Sequence, residues 1–281
     1  MRVIDFRLRP PLGSFLDMWM YSKIDRSAQM AAGLGMKLSP SAMQKSVDVM
    51  LQEMDECHIL KGVVPGRFAP TLGSIGTNEL ADIVGRYPDR LIGYAAVDPS
   101  NRRSAMAEID AAVAKGMRGI VIEPGFLNNP MYLDDARIYP LYAYCEDQKL
   151  PVLVMGGGNA GPDCTYTSPE HIERVARDFP DLKLISGHGN WPWAAQIIHV
   201  CYRRPNIYLS PDMYLYNDMP GSSEYISAAN GFLSERFLFA SAYPLMPLKQ
   251  TIDTFLSLKL KPSVIDRLMY QNAAELLGIA S

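Results

Sequence analysis

Two arginines near the start of the chain carry the first chemistry that the residue types suggest. In Val3-Ile4-Asp5-Phe6-Arg7-Leu8-Arg9 polar and apolar side chains alternate, which predicts a strand with Asp5, Arg7 and Arg9 on one face and Ile4, Phe6 and Leu8 on the other. Turned into a barrel, the polar face would strip two guanidiniums of water, and only a carboxylate or a ligand anion could compensate them. Asp5 and Glu123, the latter ending the run RGIVIEP, could close such an ion cluster. The preferred reading is a planar clamp in which Arg7 and Arg9 hold a substrate carboxylate or phosphate, because two arginines exceed the obvious single partner for each role.

The acid/base candidate is His188. His58 ends a helical stretch, His171 sits in a first helical turn and His199 lies on a helix, whereas His188 alone follows a strand, in SGHGNWPW. Flanking glycines give it room, and a neutral imidazole titrates where proton transfer is useful. A histidine that merely fixes loops is the alternative. Asp212, in SPDMYLY, is the second catalytic candidate, and Glu123, Asn159, Asn190, Trp191, Tyr214 and Tyr243 join the two arginines as expected substrate-binding groups. The run GGGNAG has the spacing of a dinucleotide turn, but Pro162 and its successors delay the next helix to Ser168, and the following strand ends in Gly187-His188 instead of an acid. The nucleotide reading is rejected; the glycines read as a loop that lets substrate approach the backbone.

Eight short β-rich runs must position these groups: 3–9, 62–66, 91–97, 118–124, 151–155, 182–188, 206–210 and 237–241. Helical stretches separate them. Ser39-Pro40 opens a stripe of Met43, Val47, Met50, Leu51 and Met54, and Ser168-Pro169-Glu170 opens one with Ile172, Val175 and Phe179. Eight strand–helix alternations predict an α/β fold, a single (β/α)8 TIM barrel over 1–281, whose catalytic groups sit at the carboxyl ends of the strands. Residues 10–39, with Trp19, Tyr21 and several methionines, read as a long loop after strand one, either a lid over the site or an apolar arm on a neighbouring subunit.

Composition narrows the function. Of 281 residues 48% are hydrophobic and 20% charged, which excludes disorder, and a net charge of −3 without basic runs longer than two argues against nucleic acid as partner. No stretch has spanning length, so no membrane partner is expected and the protein is placed in the cytoplasm. The four cysteines form no Cys-x-x-Cys pair and read as reduced.

In order and spacing the chain resembles the amidohydrolase-related family, the second amidohydrolase group, which includes aminocarboxymuconate semialdehyde decarboxylase, related aromatic-acid decarboxylases and dicarboxypyrone lactonase. The resemblance spans nearly the whole chain and rests on IDFRLRP, RYPDRLIGYAAVDP, IYPLYAYCEDQKLPVLV, FPDLKLISGHGNWPW, RRPNIYLS, FLFASAYP and KPSVIDRLMYQNAAELLG. It implies the barrel and its catalytic face. It also exposes a departure: metal-dependent members place two histidines on strand one, another on strand five and an aspartate on strand eight, where this chain has Arg7, Arg9, Met155 or Gly156, and Ala242. One surviving histidine cannot hold a catalytic metal, which needs about three protein ligands. The expectation is therefore a metal-independent hydrolase of a small carboxylated compound such as a lactone, with no cofactor, acting as a homo-oligomer. A carboxy-lyase of the same family and an inactive carboxylate-binding barrel are the alternatives.

Overall fold

The computed structural model describes residues 1–216 and 218–279. Its strands are β1 (Val3–Asp5), β2 (Ile59–Pro65), β3 (Arg67–Ala69), β4 (Gly73–Ile75), β5 (Leu91–Ala96), β6 (Gly119–Ile122), β7 (Val152–Met155), β8 (Leu184–Gly187) and β9 (Ile207–Ser210). Seven run parallel in the order β1-β2-β5-β6-β7-β8-β9, and β3 and β4 pair antiparallel as a hairpin beyond the end of β2. The sheet closes on itself through residues 237–243. Phe237 bridges Leu209 and Tyr243 bridges Leu8, both in parallel sense, and the Phe6 N–H donates to the Phe239 carbonyl at 2.9 Å. This eighth stave completes the (β/α)8 barrel expected from the sequence.

The helices are α1 (Trp19–Ser22), α2 (Ile24–Gly33), α3 (Pro40–Gln44), α4 (Val47–Glu56), α5 (Thr77–Gly85), α6 (Arg102–Ala114), α7 (Tyr139–Asp147), α8 (Pro169–Asp178), α9 (Ala194–Arg203), α10 (Ser222–Ala229), α11 (Leu248–Ser257), α12 (Pro262–Asp266) and α13 (Asn272–Leu277). Ser39 and Ser46 cap α3 and α4 by accepting the Ala42 and Val49 N–H groups. The methionine stripe expected on one helix is thus divided between two, because Lys45 adopts the left-handed φ of 51° that ends α3. Among the described residues no helix is long and apolar enough to cross a membrane.

Side chains partition by strand parity. Ile4, Phe6, Val63, Tyr94, Val121, Leu153, Ile185 and Leu238 meet in the barrel interior, joined by Tyr270, Ala273 and Leu277 from the C-terminal helices. Val3, Leu8, Val64, Ala95, Ile120 and Val154 pack outward against the helices. Strand one therefore does not follow the expected alternation. The chain bends at Phe6, so Ile4 and Phe6 fill the interior, Phe6 meeting Tyr94 edge-on at 5.6 Å, and only beyond the bend do Arg7 and Arg9 reach the mouth. Asp5 does not share their face. It is buried against the eighth stave, where it accepts the Ser241 N–H and hydroxyl, and burial raises its pKa to about 6. Filling the barrel with apolar groups outweighs a straight strand, and the charges are left above that layer.

The 10–39 connection is also not structureless. It forms α1 and α2 and buries Met18, Met20, Tyr21 and Met36 within the chain itself, with the Tyr21 hydroxyl donating to the Arg9 carbonyl at 2.7 Å.

Candidate active site

The ends of β1, β8 and β9 bring three predicted residues together. Arg7 donates from Nη1 to Asp212 Oδ2 at 2.7 Å, and His188 Nδ1 lies 3.1 Å from Asp212 Oδ1. Both His188 (φ 62°) and Asp212 (φ 43°) hold left-handed backbone that non-glycine residues rarely adopt, as does Ala242 (φ 63°) on the eighth stave. Such strain clusters where a fold aims side chains for a task. Gly189 makes the approach possible, since a Cβ there would lie 3.0 Å from Pro211.

Electrostatics assigns the protons. Burial and the neighbouring Arg7 lower the His188 pKa below its ordinary value. Burial pushes the Asp212 carboxyl up, but His188, Arg7 and the Met213 N–H together hold it below the usual carboxylate range. At neutral pH the pair is a carboxylate and a neutral imidazole. Nδ1 has two neighbours, Asp212 Oδ1 at 3.1 Å and the Arg7 Nη1 donor at 3.4 Å; the nearer carboxylate favours the tautomer in which Nδ1–H donates to Asp212, leaving Nε2, which bonds no other described residue, with the lone pair.

A second cluster gathers around Glu123. Glu123, the residue after β6, accepts from Arg67 Nε at 3.1 Å and stands 3.7 Å from Arg9 Nη2. Arg9 also donates to the Pro65 and Gly66 carbonyls at 3.1 and 3.3 Å. Burial, and then the adjacent Arg67 cation, bring the Arg9 pKa down to about 9, so it stays charged at neutral pH. Arg67 is a site residue that the sequence reading missed. Its position directly after the strand phrase VVPG was the available signal.

Arg7, Arg9, Arg67, Glu123, Asn159, His188 and Tyr214 line one cavity of about 610 Å³, roofed by Trp19, Lys23 and Arg26 from the 10–39 connection. Asp212 stands behind Arg7 and His188. Three expected contacts are off the wall. Asn190 is fully buried, donating to the Thr167 carbonyl and accepting from Ser186, so it braces the β8 turn. Trp191 stacks on the outer face of the Tyr214 ring at 4.8 Å, and Tyr243 turns its hydroxyl to Ser41 at 2.9 Å. The glycine loop is likewise built for its protein neighbours: a Cβ on Gly158 would meet the Tyr214 hydroxyl at 2.0 Å, and one on Gly157 the His188 Cβ at 2.7 Å.

The family model described as Amidohydrolase matches residues 4–279. The chain belongs to the amidohydrolase family. No curated protein matches it. Among solved structures it is similar to an uncharacterized TIM-barrel protein from Bordetella bronchiseptica, with 47% identity over 99% of both chains and a TM-score of 0.96. Two further solved structures share the architecture at low identity. 2,6-Dihydroxybenzoate decarboxylase from Rhizobium matches over 99% of both chains with 14% identity and a TM-score of 0.71. 5-Carboxyvanillate decarboxylase from Novosphingobium aromaticivorans, complexed with manganese and a nitrobenzoic acid, matches over 99% of this chain and 96% of its own with 15% identity and a TM-score of 0.70.

The donor set of this family member does not suit a metal. Among the described residues no three His, Cys, Asp or Glu side chains come together to hold one. Asp212 and Glu123, the carboxylates beside Arg7 and Arg9, are engaged by guanidiniums, whose fixed charge repels a cation, and Asp17 on the wall belongs to no such group of three.

Proposed function

We propose that the protein is a hydrolase of a small carboxylated compound, such as a lactone, that works through its own side chains. The observation that carries this reading is the His188–Asp212–Arg7 constellation at a cavity that the Arg9–Glu123–Arg67 cluster also lines. Glu123 is one carboxylate for two guanidiniums, so Arg9 and Arg67 retain attraction for a substrate carboxylate. That contact fixes the compound in place. His188 Nε2 takes a proton from water while Asp212 stabilises the imidazolium that forms, and Arg7 offers its free N–H groups to the oxygen on which charge develops. The water oxygen bonds to the carbonyl carbon, the ring C–O bond then breaks, and the proton passes from His188 to the leaving oxygen, which restores the neutral imidazole.

Decarboxylation is the second reading, favoured by the decarboxylases that share the fold. Two physical arguments rank it lower. Guanidiniums bound to the departing carboxylate stabilise the ground state and raise the barrier to losing carbon dioxide. A histidine held neutral is also better placed to accept a proton than to supply one.

The test is incubation with a panel of carboxylated lactones and hydroxybenzoates in ¹⁸O-labelled water. Label in a ring-opened acid product supports hydrolysis. Carbon dioxide release without label in the product replaces it with decarboxylation, and acid binding without any product leaves a binding protein.

A further inference from the structure

Among the described residues five cationic side chains, Arg7, Arg9, Lys23, Arg26 and Arg67, line the cavity. Three carboxylates oppose them: Asp17 and Glu123 on the wall, and Asp212 bonded to Arg7. The cavity thus holds a surplus of two positive charges in a chain whose net charge is −3. One substrate carboxylate on Arg9 and Arg67 cancels half of it. The other half sits in the roof.

The roof is built to present it. Lys23 separates α1 from α2 with φ −116° and ψ 58°, and from there Lys23, Arg26 and Met30 follow at helical spacing and all line the cavity, next to the buried face of Ser27 and Ala31, so the two cations border the cavity from its solvent-exposed side. The Arg26 guanidinium lies over the Trp19 ring at 5.5 Å, a contact that orients it without consuming its hydrogen-bond donors. Neither Lys23 nor Arg26 has an ion-pair partner among the described residues.

We infer that Lys23 and Arg26 form a second anion subsite, and that the substrate is a dianion carrying a second acidic group, carboxylate or phosphate, in addition to the carboxylate held by Arg9 and Arg67. The inference rests on the anion-binding part of the proposed function. It adds a specificity determinant in the roof, one that selects diacids over monoacids of the same skeleton. Partly exposed ion pairs are each worth a factor of a few, so two together should give about tenfold.

Isothermal titration with benzoate, the three benzenedicarboxylates and the three phosphonobenzoates tests this on the intact protein. At least one diacid should bind about tenfold more tightly than benzoate. In the Lys23→Gln/Arg26→Gln double variant, altered only at exposed positions, that advantage should vanish while benzoate affinity stays within about twofold. A phosphonobenzoate ahead of every dicarboxylate would identify a phosphate-like second group, and the reverse order a carboxylate. Benzoate binding with no diacid advantage, or an advantage that survives in the double variant, overturns the roof subsite alone. Failure of every acid to bind overturns the anion-binding cavity and the subsite with it.

Discussion

His188 Nδ1 faces Asp212 Oδ1 at 3.1 Å, and each residue stands at the end of its strand with positive φ. Two neighbouring strands both bend their backbone unfavourably so that one imidazole meets one carboxylate. The pairing favours a protonated Nδ1 and leaves the other nitrogen without a partner among the described residues, on a side chain that lines the cavity.

Replacing His188 by Asn should lower turnover by about 10²- to 10⁴-fold and leave carboxylate affinity nearly unchanged. Because burial and Arg7 hold His188 below its ordinary pKa, the base stays unprotonated through neutral pH. The wild-type kcat/KM should be level from about pH 8 down to about 6.5 and fall only below that. A pH–rate profile checks the sign: an acid limb that persists in the Asn variant assigns the titration to another group.

Glu123→Gln leaves Arg9 and Arg67 buried without their shared carboxylate, and should destabilise the fold by about 3–5 kcal/mol. Added benzoate should restore part of the loss, since it replaces the missing charge. Thermal denaturation with and without benzoate measures both effects. A variant as stable as wild type would show that the cluster is not electrostatically coupled.

Asp5 gives the fold an opposite pH response from most carboxylates. Its folded pKa is raised to about 6 from an ordinary 3.8, so its contribution is complete below about pH 3.8 and is lost as pH rises through 6. The loss is on the order of 3 kcal/mol. Asn at this position can still accept the Ser241 and Arg7 N–H groups, so Asp5→Asn should gain stability relative to wild type between about pH 4 and 7. Urea denaturation at a series of pH values reads the difference, and a constant difference would deny the shift.

Lys45→Gly should stabilise the protein by about 0.5–1 kcal/mol, because the exposed lysine holds the left-handed conformation that ends α3. The expected rise in Tm is about 1–4 °C. No rise would mean that the lysine side chain contributes as much as the strain costs.

Much of this was legible from residue order. Eight alternating runs announced the barrel, and Arg7, His188 and Asp212 stood out because each sits where a strand must end. The failures have one physical root, which is that periodicity describes straight elements while this site is made by bends. Parity placed Asp5 beside Arg7 and Arg9, but the turn at Phe6 separates them. Nearness in sequence suggested that Asn190 and Trp191 shared the environment of His188, yet the left-handed turn there sends Asn190 into the scaffold and Trp191 behind Tyr214. Arg67 escaped notice because it belongs to a hairpin that interrupts the strand–helix alternation.

Two of the three tryptophans stand at the cavity: Trp19 lines it and Trp191 stacks on Tyr214, which lines it, while Trp193 is turned to the Thr167 hydroxyl. Trp19 already feels a cation that an incoming acid would draw away. The molecule therefore carries its own optical gauge. Ultraviolet emission from the unlabelled protein should shift as the mouth fills and stay unmoved by events at the opposite end of the barrel, so occupancy can be followed in real time before any product is known.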